Sequence, residues 1–199
     1  MALCNRRKMK ILVVGAGYVG LVTGTCFAEV GHEVTVLDID EGKIKRLLKG
    51  EIPIYEPGLE EMVKRNLSSR RLHFTLNYLE AVNRADFIFI AVDTPIGENG
   101  QANIHYVLNV ARGVAEVMQS EKVIITKSTV PPGTSFKVRE AIESITSVPF
   151  HLVNNPEFLK EGNAINDFMK PDRVVVGVES VEIGARMKEL YAPFMLNHE

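Results

Sequence analysis

The chain has 199 residues, 46% apolar and 24% charged, with a formal net charge of −2 at pH 7. That is enough chain for one large domain with a full core. The near-neutral balance excludes the global basic field that would draw nucleic acid or an anionic membrane surface. No apolar run approaches the roughly 20 residues a membrane-spanning helix needs.

Residues 1–8 contain Arg6, Arg7 and Lys8 but no apolar stretch of a secretory signal, so they read as a tail before a domain over 9–199. Cys4 and Cys26 have no metal or redox spacing. Free thiols in a reducing, cytoplasmic setting are expected. His32, His73, His105, His151 and His198 are scattered. They are expected at the surface or at caps, and no metal site is expected.

Lys10 to Val14 is an apolar run of the kind buried on both faces of a parallel sheet. A helix follows over about 18–30, closed by Gly31. Residues 33–37 form the second strand, and Asp40 caps a helix that runs to Lys49 and stops at Gly50. Pro53 and Pro57 keep 52–58 out of a helix interior. A helix over 59–67, a short strand over 72–75 and a strong strand over 86–92 come next, then a loop over 93–101. A long helix is expected over 104–118 and a strand over 122–126. Thr134 is a candidate cap for a helix to about Ile145. Strands are expected at 151–153 and 174–177, and a last helix over 181–191. This alternation predicts an α/β, Rossmann-type doubly wound fold: a mostly parallel sheet with helices on both faces.

Gly15-Ala16-Gly17-Tyr18-Val19-Gly20 follows the first strand and opens a helix. The first glycine permits the tight turn, the second admits a pyrophosphate to the backbone, and the third allows close packing of helix on strand. The helix N-terminus adds unsatisfied amides and partial positive charge. Asp38 ends the second strand, where an acid accepts from the adenosine ribose hydroxyls. A carboxylate there repels a 2′-phosphate, and no arginine directly follows it, so NAD is expected over NADP. Lys43, one helical turn further on, is either a ribose contact or a solvated lysine.

Two more strand ends, Val92-Asp93-Thr94-Pro95 and Lys127-Ser128-Thr129-Val130, face the same crevice. The hydroxyls of Thr94 and Thr129 can serve a ligand or only the turn backbone. In Asn155-Pro156-Glu157-Phe158-Leu159-Lys160-Glu161-Gly162, Asn155 is a candidate N-cap and Pro156 a first helical residue. Glu157 and Glu161 then share one face of a short helix. They are either acids favouring a helix dipole or a general base beside a substrate.

These blocks, with Ile52-Pro53-Ile54-Tyr55-Glu56-Pro57-Gly58-Leu59 and Pro171-Asp172-Arg173-Val174-Val175, resemble the UDP-glucose/GDP-mannose dehydrogenase family over residues 9–194. The resemblance implies oxidation of UDP-glucose or a related nucleotide sugar at C6, to UDP-glucuronate in the UDP-glucose case. Two NAD and one water are used, and the path runs through an aldehyde and a cysteine-bound thioester. It implies that Gly15, Gly17, Tyr18, Val19 and Gly20 lie along the NAD pyrophosphate and that Asp38 and Lys43 hold the ribose. Thr94 and Thr129 then line the crevice, and Thr129 also places a water near C6. Glu157 is implied as an acid/base of the hydrolytic half, and Glu161 as a residue near the nicotinamide.

Neither Cys4 nor Cys26 matches the family's nucleophile, and its substrate-binding second domain has no counterpart here. The chain is therefore expected to be the NAD-binding part of a larger enzyme, inactive alone. The full-length protein is expected as a possible homo-oligomer. A GDP-mannose 6-dehydrogenase is the second reading, a hydroxyacid-type dehydrogenase a weaker one, and a non-catalytic NAD-binding module the alternative of another class.

Overall fold

The computed structural model describes residues 8–97, 100 and 102–195. The tail expected over 1–8 falls outside that range except for Lys8, as do Cys4, His198 and part of the 93–101 loop. Described elements follow the strand–helix alternation of the sequence. They are β1 (Lys10–Val14), α1 (Tyr18–Glu29), β2 (Glu33–Leu37), α2 (Glu41–Leu48), α3 (Leu59–Ser68), β3 (Leu72–Thr75), α4 (Tyr78–Arg84) and β4 (Phe87–Ile90). After these come α5 (His105–Val117), β5 (Lys122–Thr126), α6 (Thr134–Glu143), β6 (Phe150–Asn154), α7 (Ala164–Met169), β7 (Gly177–Val178) and α8 (Val181–Tyr191), ending in a 3-10 turn at Ala192–Phe194.

The strands form one sheet in the order β3-β2-β1-β4-β5-β6-β7. Only the β6–β7 pairing is antiparallel. The chain winds outward from β1 to β3, then returns to place β4 beside β1 in parallel. The strand order reverses there, which opens a crevice beyond the carboxyl ends of β1 and β4.

Each face of the sheet carries its own core. Residues of α1, α3, α7 and α8 pack on one face with Val13, Val36, Phe89 and Ile125. Residues of α4, α5 and α6 pack on the other with Leu12, Val14, Ile88 and Ile124. Helix α1 lies so deep that nine of its residues, Gly20 to Ala28, are buried, packed against β2, α3 and α7. A helix buried all round carries no polar stripe.

Several expectations need correction. Helix α4 has no counterpart in the sequence reading, although Asn77 caps it by accepting from Glu80 N. Thr134 is not a cap: it is the first residue of α6, and its hydroxyl donates 2.7 Å to the Pro131 carbonyl. The last strand is β7 at Gly177–Val178 rather than 174–177, because only Gly177 and Val178 pair with β6. His32 is buried, accepting from Met9 N at 3.3 Å and set edge-on to Phe27, not a surface or capping residue.

The helix expected from Asn155 does not form. Residues 155–160 have no regular structure, and α7 begins only at Ala164. The Asn155 side chain has other partners: Nδ2 donates to the Val175 carbonyl at 2.8 Å, and Oδ1 accepts from Tyr191 at 2.5 Å. Its amide extends the β5–β6 pairing by donating to the Thr126 carbonyl. A cap needs that side chain aimed at its own helix.

Candidate active site

The glycine turn is built by close approach. Gly15 has φ +106°, and a Cβ there would lie 2.6 Å from the Ala91 carbonyl oxygen. A Cβ on Gly20 would lie 1.8 Å from the Gly15 oxygen, so the third glycine packs on the turn itself. The close packing expected of Gly20 is thus made against the ends of β1 and β4, and Gly24 adds a second close approach, its Cβ meeting Val36 at 2.7 Å. Gly17 differs: its nearest neighbour would be an Asp93 side-chain oxygen at 3.6 Å. Its side is open, and no side chain caps α1. The first-turn amides of such a helix have no intrahelical acceptor.

Asp38 closes one end of this turn. Oδ2 accepts from Ala16 N at 2.7 Å and from Lys43 Nζ at 3.1 Å, and Oδ1 accepts from Asp40 N at 3.0 Å. Burial works against its charge, but these donors outweigh it and hold its carboxyl below the usual aspartate range. Asp38 thus stays an acceptor at neutral pH. Asp40 caps α2 through Lys43 N, which places Lys43 beside Asp38. These residues, with Gly15, Gly17, Ile39, Tyr78, Tyr106 and Asn109, line a cleft of about 630 Å³. That volume falls in the size range of cofactor sites.

A second cleft of about 270 Å³ adjoins it through Ala91, Val92 and Asp93, lined also by Tyr18, Val19, Thr94, Lys127, Thr129, Glu157 and Glu161. Every residue proposed from the sequence for this side is therefore at one place. Their roles differ. Thr94 Oγ1 donates to the Thr129 carbonyl at 2.8 Å, tying two strand-end loops together. Thr129 is exposed and lines the cleft. Glu157 is half-buried and accepts from Leu159 N at 2.7 Å, a local turn in place of the expected helix. The helix from Asn155 whose dipole Glu157 and Glu161 were expected to favour is absent, and α7 starts only three residues after Glu161.

Two residues outside the sequence-derived set belong here. Lys127 is 5% exposed, and burial lowers its ammonium pKa to about 8, with Glu157 opposing the shift. Its Nζ lies 5.8 Å from the Phe168 ring centre, and no ion pair to it is found among the described residues. Glu56 is 4% exposed and accepts from the Tyr18 hydroxyl. Burial and this carboxylate push the Tyr18 phenol up to about 12, so it remains a donor. The sequence offered one signal for both: each is a charged residue inside a block that the resemblance already used.

Residues 9–195 match the model of the UDP-glucose/GDP-mannose dehydrogenase family, NAD binding domain. The chain belongs to that family. A UDP-glucose 6-dehydrogenase of Rhizobium meliloti is 50% identical over 193 residues, 95% of this chain and 44% of the relative. The UDP-glucose dehydrogenase structure from Pyrobaculum islandicum superposes with TM-score 0.92 at 39% identity, over 96% of this chain and 46% of that one. A GDP-mannose dehydrogenase structure from Pseudomonas aeruginosa gives 0.89 at 34%, over 92% and 44%. The chain spans less than half the length of the curated relatives it matches.

The cofactor of the family fits what this domain presents. NAD needs a pyrophosphate seat on open backbone, which Gly17 and the uncapped α1 offer, and a ribose acceptor, which Asp38 offers.

Proposed function

We propose that this chain is the NAD-binding half of a cytoplasmic nucleotide-sugar 6-dehydrogenase acting on UDP-glucose. The observation that carries the reading is the junction of the two clefts at Ala91–Asp93. It sets the dinucleotide side, with Gly17, Asp38 and Lys43, against a polar side with Thr129, Glu157 and Glu161. The curated relatives at 44–50% identity named as UDP-glucose 6-dehydrogenases favour UDP-glucose over GDP-mannose as the sugar nucleotide.

Bound NAD supplies the hydride acceptor. The chain's own residues bind and orient. The first-turn amides of α1 hold the pyrophosphate, Asp38 accepts from the ribose hydroxyls, and Lys43 keeps that carboxylate in place. Thr129 positions a water or the sugar C6 oxygen, Glu161 lies on the nicotinamide side, and Glu157 takes up or returns a proton at the water.

Full oxidation of an alcohol to an acid also needs a group that holds the aldehyde for a second hydride transfer. Cys26 does not supply it. The residue is 0% exposed, and burial pushes its thiol far above the ordinary range, so it forms no thiolate. We therefore expect NAD binding from residues 9–199, with the remaining chemistry supplied by other protein groups.

Calorimetric titration with NAD and NADP tests the reading. NAD should bind at least about tenfold more tightly, and Asp38→Ala should narrow the gap. Equal or tighter NADP binding by the unmodified chain refutes it.

A further inference from the structure

The loop that carries Glu157 and Glu161 is held at its far end by a carboxylate distant in sequence. Glu56 Oε2 accepts from the Tyr18 hydroxyl and from Gly162 N at 2.8 Å, while Oε1 accepts from Ile165 N at 3.2 Å. The Tyr18 oxygen accepts in turn from Gly162 N at 2.9 Å. Three segments meet at one buried carboxylate: the first residue of α1, the 51–58 connection, and the chain just after Glu161. No side chain of its own caps α7, and Glu56 supplies that acceptor from 109 positions away.

The placement matters because Tyr18 serves two sites. Its backbone belongs to the first turn of α1, and its ring lines the cleft shared with Glu157 and Glu161. Its phenol is fixed to Gly162, next to Glu161. We propose that Glu56 is a positioning residue that fixes the acid-bearing loop, through Tyr18 and Gly162, to the turn that seats the cofactor, so that NAD binding orders the loop. A ligand can shift such an equilibrium only through a differential interaction with its two states. Here that difference is the restraint an anion on the α1 amides places on Tyr18. Glu56 touches neither substrate nor cofactor in this account; it acts through Tyr18 and Gly162.

The coupling rests on the NAD-binding reading, whereas the positioning does not. Amide hydrogen exchange on the 199-residue chain, with and without saturating NAD, separates them. In the unliganded chain, Glu56→Gln should raise exchange over 157–165 by about tenfold, because a neutral amide replaces the carboxylate acceptor of Gly162 and Ile165. With NAD, the unmodified chain should show slower exchange both in the first turn of α1 and over 157–165. Glu56→Gln should keep the first slowing and lose the second.

By linkage, calorimetric NAD affinity should fall in Glu56→Gln by no more than the protection lost. A purely structural role would raise exchange across the domain and leave the NAD-linked slowing over 157–165 intact, which overturns the proposal. Unchanged exchange over 157–165 in unliganded Glu56→Gln overturns the positioning whatever NAD does. Absence of NAD-linked slowing at α1 in the unmodified chain instead refutes the functional reading, and the coupling with it. Should Glu56→Gln fail to fold, Tyr18→Phe removes only the phenolic link, leaves the Glu56 bonds to Gly162 and Ile165, and must lose the NAD-linked slowing over 157–165; its retention overturns the coupling.

Discussion

The cofactor cleft and the acid-bearing loop border each other, yet they are held by different means. In the cleft, the turn, Asp38, Asp40 and Lys43 belong to one β1–α1–β2 unit and its continuation into α2, and their hydrogen bonds join residues at most 22 positions apart. The 155–163 loop has no regular structure of its own. Asn155 is tied to Val175 and Tyr191 at one end, and Gly162 to Glu56 and Tyr18, 106 and 144 positions away, at the other. A site made of local contacts forms with its supersecondary unit. A site made of distant ones exists only once the whole sheet is assembled.

The largest effect should come from the turn. Gly20→Ala drives a Cβ into the Gly15 carbonyl and should cost about 4 kcal/mol or more, read as a fall in the denaturation midpoint. Gly17→Ala meets only an ordinary contact, with Asp93 Oδ1 at 3.6 Å. It should change stability by about 1 kcal/mol or less while abolishing calorimetric NAD binding. Equal destabilisation by both would erase the distinction between packing and seating glycines.

On the loop side, Glu157→Gln in the full-length enzyme should slow turnover by about 100-fold or more with NAD affinity retained. Near-normal turnover would reduce Glu157 to its bond with Leu159.

Lys127→Met should stabilise the chain by up to about 3 kcal/mol at pH 7, because a buried ammonium with a pKa near 8 is charged there in both folded and unfolded states. The sign follows from the depressed value. The unfolded chain binds more protons between about pH 8 and the ordinary lysine range, so this group's contribution to stability rises with pH across that window. The rise should vanish in Lys127→Met. Denaturant unfolding across pH 7 to 10 measures both.

The smallest effect is expected for Tyr191→Phe, which leaves the buried Asn155 Oδ1 without its donor. It should cost about 1 kcal/mol and loosen the loop, lowering NAD affinity by no more than the loop protection lost.

The same division separates what is legible along the chain from what is not. Asp40 reads directly as the cap of α2, because its donor, Lys43 N, lies three residues away. Asn77 and Glu80 carry an equally local signal for α4, an acceptor and its donor three residues apart. Asn155 followed by Pro156 looks like a helix start in isolation. Its amide group bonds Val175 and Tyr191 instead, and neither partner has a fixed spacing that a local pattern could reveal.

By itself, then, the sequence determined the strand–helix alternation, the glycine turn with its acid at Asp38, and the strand ends that face one crevice. These depend on side-chain periodicity and on backbone geometry over a few residues, both written in order along the chain. The tertiary structure alone decided that Glu56 holds Gly162, that Lys127 and His32 are buried, and that Glu157 and Glu161 sit on a loop rather than a helix face. Burial, and the partners a polar group finds, depend on which distant segments the completed sheet brings against it.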